Sequence, residues 1–78
     1  MKITKIWFEG DYIFGMNEEG VILKQPLRWY PRLRKASDNE RANYTVSTVG
    51  FHWRNIDEDI SFESFLYEEN QPHLMYVE

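Results

Sequence analysis

Apolar and polar positions follow period two through the first third of the chain, after which helical and extended stretches alternate. Residues 2–9, Lys-Ile-Thr-Lys-Ile-Trp-Phe-Glu, are β-branched and aromatic and predict a strand. Gly10-Asp11 marks a turn. Residues 12–16 then place Tyr12, Phe14 and Met16 on one face of a second strand. Asn17-Glu18-Glu19-Gly20 has Asn in front and Gly where a positive φ is useful, which suits a hairpin connection. A third strand over 21–25 is stopped by Pro26. Three strands with short links predict an antiparallel meander.

The period changes at Leu27. Leu27, Tyr30 and Leu33 lie three apart, and Trp29 and Leu33 four apart, which is helical spacing. Proline is tolerated only in a first turn, so Pro31 sets the helix start near Arg28 to Tyr30, with Trp29 and Tyr30 inward and Arg28, Arg32 and Lys35 on the exposed side. Ser37 followed by Glu40 is the signature of a capping box and predicts a second short helix over 38–43. Residues 44–48 have strand composition, Gly50 breaks the run, and Phe51-His52-Trp53 reads as a short extended segment. Asn55 to Asp59 reads as a polar connector. Ser61 then caps a last short helix whose Phe62, Phe65 and Leu66 form an apolar stripe. Together these elements predict one α+β domain over 1–67: a small antiparallel sheet of three to five strands, covered on one face by two or three short helices. Residues 68–78 are expected to be a tail or an added edge strand.

Composition narrows the function classes. The chain has 78 residues, 42% hydrophobic and 17% aromatic, which is too apolar for simple disorder. It holds no apolar run of membrane-spanning length, and its first residues lack a secretory apolar region, so the expected location is cytoplasmic. Without cysteine, disulfides, thiolate catalysis and cysteine-ligated metals are excluded together. Stability must then come from rings, and five Phe, five Tyr and three Trp are expected to close a single interior.

The net charge of −4 conceals segregation. Lys24 to Arg41 carry six basic residues against two acidic ones, whereas 55–78 carry seven acids and no Lys or Arg. Opposed potentials of this kind steer and orient a protein partner, or else neutralise one another within the fold. The candidate contact residues are Arg28, Arg32 and Lys35 on the basic side, and Asp57, Glu58, Asp59 and Glu63 on the acidic side. An exposed edge strand also offers a route to a homodimer. Basic residues interleaved with Trp29 and Tyr30 suit a nucleic-acid backbone, but a sequence pI near 5.1 argues against nucleic acid as the partner of this chain alone.

Catalytic signals are sparse. The four glycines stand singly, so no phosphate-cradling loop is present, and no nucleophile-elbow or zinc-protease motif occurs. His52, with Asp57 or Asp59, is the one constellation that suits a general base or a metal ligand, and a packed, hydrogen-bonded histidine is its structural alternative. His73 beside Pro72 offers less. Asp57-Glu58-Asp59 lacks calcium-loop spacing and reads as a solvated acidic segment. No catalytic residue, metal or cofactor is expected.

Four motifs in order carry a family resemblance: Pro26-Leu27-Arg28-Trp29-Tyr30-Pro31-Arg32-Leu33, Glu40-Arg41-Ala42-Asn43-Tyr44, Gly50-Phe51-His52-Trp53 and Asp57-Glu58-Asp59-Ile60-Ser61. Over about residues 2–66 the chain resembles the bacterial DUF2442 family. The resemblance implies a compact α+β domain with an N-terminal antiparallel sheet and no assigned catalytic residues. It also implies a neighbouring gene for a second small protein, in a pair similar to a toxin–antitoxin system whose neutralising member is this family. Some longer relatives append a helix-turn-helix domain for which this chain is expected to have no room. The segment from Glu68 onward departs from the pattern. The expected function is therefore non-catalytic protein binding. The alternatives are a DNA-binding or transcription-regulatory accessory, and a small hydrolase or metal enzyme using His52.

Overall fold

The computed structural model describes residues 2–67 and divides them into two three-stranded antiparallel sheets joined by short helical turns. The first sheet is β1 (Ile3–Glu9), β2 (Tyr12–Asn17) and β3 (Ile22–Pro26), paired in chain order. A 3₁₀ turn (Leu27–Trp29), helix α1 (Pro31–Arg34) and helix α2 (Asp38–Ala42) come next. The second sheet is β4 (Thr45–Val46), β5 (Gly50–Trp53) and β6 (Glu58–Ser61), and a second 3₁₀ turn (Phe62–Leu66) closes the described chain. The expected tail or edge strand over 68–78 lies outside the described residues.

Local chemistry explains the turns. Gly10 takes φ 57° and Gly20 takes φ 84°, the left-handed region that a Cβ disfavours, at the two hairpin connections of the first sheet. In the second connection the Asn17 side-chain oxygen accepts from the amides of Glu19 and Val21, both at 2.9 Å, and so ties the loop together. Ser37 and Glu40 form both arms of the capping box, at 3.1 Å and 2.9 Å, and α2 starts where the sequence predicts.

Several expectations are corrected. A single sheet of three to five strands is replaced by two sheets, because the chain turns through α1 and α2 and, among the described residues, the later strands pair only with one another. The helix predicted from Arg28 begins instead as a 3₁₀ turn and restarts at Pro31. Proline cannot donate to the carbonyl a turn behind it, so it occupies the first position of α1. The strand over 44–48 shrinks to Thr45–Val46. The connector over 55–59 is a turn over 54–57, and Glu58 and Asp59 belong to β6. Ser61 does act as a cap, accepting from the Ser64 amide at 3.2 Å, but the capped element is 3₁₀ rather than α-helical.

The core lies where the two sheets and the helical turns meet. Ile3 and Ile13 from the first sheet, Leu27, Tyr30 and Leu33 from the corner, Phe51, Trp53 and Ile60 from the second sheet, and Phe62 and Phe65 from the last turn make one buried cluster. Fully burying such side chains contributes about 1.5–3 kcal/mol each. Trp53 is its centre: its ring meets Phe8 edge-on across the sheets at 6.5 Å, and its indole N–H donates to the Arg41 carbonyl at 2.9 Å. One polar chain crosses this interior. The Tyr30 hydroxyl donates to Gln25 Oε1 at 2.5 Å, Gln25 Nε2 donates to Ser64 Oγ at 2.9 Å, and Ser64 Oγ donates to the Ser61 carbonyl at 2.7 Å. Gln25 is 0% exposed, so these bonds meet the requirement that a buried amide be paired.

The expectation that all thirteen rings face one interior also fails. Ile13 and Gly15 form the core side of β2, so Tyr12, Phe14 and Met16 stand on the opposite, half-buried side of the sheet.

Candidate protein-contact surfaces

The basic candidates occupy the corner between the sheets. Arg28 in the first 3₁₀ turn and Arg32 and Lys35 at α1 are all exposed. The acidic candidates are divided among three elements: Asp57 in the β5–β6 turn, Glu58 and Asp59 on β6, and Glu63 in the second 3₁₀ turn.

Arg32 joins the two groups. Its Nη1 donates to the Asp57 carbonyl at 2.7 Å and lies 3.8 Å from the Asp57 carboxylate, with side chains 62% and 87% exposed. Asp57 has φ 54° and is the one non-glycine with positive φ among the described residues. Aspartate tolerates that region better than most residues, and the guanidinium takes the carbonyl that the turn aims outward. Nothing in the periodicity of the sequence marks residues 32 and 57 as neighbours.

His52 and Asp59 face each other across β5 and β6, with Nδ1 donating to the carboxylate at 2.6 Å. The side chains are 44% and 74% exposed. Of the two aspartates the sequence associates with His52, the fold brings Asp59 and turns Asp57 toward Arg32. The pair stands on a sheet surface; three grooves elsewhere, of about 400, 300 and 200 Å³, are lined by other residues. Among the described residues, no group of three His, Cys, Asp or Glu side chains converges to hold a metal ion. His73 lies outside the described residues.

A second surface escapes a reading that sends rings inward. On the outer side of the first sheet the cross-strand pairs set Trp7 beside Phe14 and Phe14 beside Lys24, with Lys5 beside Met16 in one flanking row and Glu9 beside Tyr12 in the other. The Trp7 and Phe14 rings stack with centroids 5.6 Å apart and planes within 7°. Lys5 Nζ lies 5.6 Å from the Trp7 ring and Lys24 Nζ lies 4.4 Å from the Tyr12 ring, both within cation–π range. The Tyr12, Phe14, Met16 alternation is the signal that could have revealed this face, once Ile13 and Gly15 are recognised as the packed set.

The family model described as a protein of unknown function, DUF2442, matches residues 3–71. The chain belongs to the DUF2442 family. No curated protein and no solved structure matches it. The DUF2442 match covers the four motifs and runs past the described residues. The motifs divide their work in the fold. Pro31 and Leu33 build the corner, Glu40 completes the capping box, Trp53 centres the core, and Arg32 meets Asp57. Among the described residues no helix is long and apolar enough to cross a membrane.

Proposed function

We propose that this DUF2442 protein is a non-catalytic protein-interaction module, the smaller, neutralising member of a two-protein pair. Its contact residues are Arg28, Arg32 and Lys35 at the charged corner, with Asp57 beside Arg32, and the acids Glu58, Asp59 and Glu63 that follow in the chain. The observation that carries the reading is the Arg32–Asp57 link. A pair this exposed adds only about 0.2–1 kcal/mol to folding. Segregating charge on either side of it therefore does little for the fold, whereas it suits orientation of a partner of complementary pattern.

The test is co-purification with the product of the adjacent gene at low salt, followed by titration of wild type and of Arg32→Glu/Lys35→Glu. Association that weakens with rising salt and with the charge reversal supports the reading. Absence of association at low salt refutes it. The same two proteins, offered duplex DNA in a mobility-shift assay, separate this reading from a DNA-binding accessory, whose affinity would fall steeply with salt.

A further inference from the structure

We propose that the outer face of the first sheet is a self-association surface, which seats a second copy of this chain face to face with its strands running oppositely. The proposal goes beyond the charged-corner reading and uses a different part of the molecule.

The argument rests on how charge is placed around the rings. Trp7, Phe14 and Lys24 form the middle row of the face. Lys5 and Glu9, which share the outward side of β1 with Trp7, lie one row to either side of it. Four residues of strand separate Lys5 from Glu9 by about 14 Å, more than a Debye length at physiological salt, so the two ends present separate charges. A two-fold axis lying in the face along the Trp7–Phe14–Lys24 row brings Lys5 of each copy opposite Glu9 of the other. The contact is isologous, so this pairing is made twice, and the stacked rings of the two copies meet at the centre. The one like-charge encounter on the axis is Lys24 with its mate. Each Lys24 ammonium is drawn over its own Tyr12 ring, 4.4 Å from the centroid, and hence off the axis in opposite directions. The other two-fold, running along the strands, sets Lys24 against Trp7, Lys5 against Ile22 and Glu9 against Pro26 and so forms no ion pair, whereas the first forms two, and charge selects the first arrangement. Ile22, 56% exposed, extends the apolar surface along β3. Three strands about 4.8 Å apart cover well under the roughly 800 Å² per partner of a standard interface, so the expected dimer is loose and concentration-dependent.

The experiment is sedimentation velocity on the full chain from micromolar to millimolar concentration. It compares wild type, Lys5→Glu, Glu9→Lys and the double exchange, each checked by circular dichroism. Lys5 and Glu9 are exposed, so the variants keep the fold. The wild type should dimerise as concentration rises. Each single exchange should raise the dissociation constant about three- to tenfold, with both pairs turned repulsive, and the double exchange should restore it. Trp7→Ala should weaken the dimer regardless of salt. A chain that stays monomeric throughout overturns the proposal, as does a double exchange no better than the singles. If the face resonances move only on adding the adjacent gene's product or a single-stranded oligonucleotide, the face belongs to that occupant and the proposal fails.

Discussion

Gly50 opens β5 opposite Ser61, and replacing it with alanine tests how closely the second sheet is built. A Cβ at this position overlaps the Ile60 carbonyl oxygen and comes within 2.7 Å of Ser61 Cα. Both are backbone atoms of β6, so no side-chain rotation relieves the overlap. Either β5 and β6 must move apart from their spacing of about 4.8 Å, or the pairing must open locally. Opening there also puts at risk the bond from the Phe62 amide to the Val49 carbonyl, 2.8 Å, which leads into the last turn of the core. Over-packing costs about 1–3 kcal/mol where side chains can yield. Backbone against backbone sets Gly50→Ala at the upper end, about 3 kcal/mol. At roughly 0.05–0.15 kcal/mol per residue the whole fold is worth about 4–12 kcal/mol, so the variant should fold but lose a large share of its margin. Its midpoint should fall by about 12–24 °C, from about 4–8 °C per kcal/mol in a domain of this size. Urea and thermal unfolding followed by tryptophan fluorescence would measure this. Gly20→Ala is the control, since its Cβ meets nothing within 4 Å and only the φ of 84° opposes it, at about 1–2 kcal/mol. A Gly50→Ala protein no less stable than Gly20→Ala would refute the steric argument.

Two further substitutions probe polar features. Gln25→Leu removes the middle of the buried chain, deleting the bond that Gln25 Oε1 accepts from the Tyr30 hydroxyl and the one that Gln25 Nε2 donates to Ser64 Oγ, so urea unfolding should show a loss of about 1–3 kcal/mol with little change in slope. Ser37→Ala deletes one arm of the capping box of α2 and should cost about 0.5–2 kcal/mol, with amide exchange quickening first at Glu40.

What the sequence discloses is mostly local. The Asn17 and Gly20 turn, the Ser37–Glu40 cap and the proline that opens α1 arise from side chains acting on backbone within four residues of themselves. The errors share one physical origin. Phe14 and Ile13 are both apolar, and alternation says that they lie on opposite faces but not which face is packed; burial of Gly15 under Phe65 decides it, fifty residues away. Residues 55–59 look polar enough for a loop, yet Glu58 and Asp59 pair with Trp53 and His52 because a strand with one wet face needs only its alternate residue, Ile60, inside. Within the charged surface, the residue types were legible, but the meeting of Arg32 with Asp57 depends on where the corner sets α1 against the β5–β6 turn.

Among the described residues every strand hydrogen-bonds only to strands next to it in the chain, yet the core that the two sheets share is not complete until Phe62 and Phe65 arrive from the last described element. Ladder formation is therefore fast and local, while the free energy that holds it is delivered late and all at once. A nascent chain would carry its first hairpins as fleeting structures, and the completed molecule should melt in a single step reported alike by every probe.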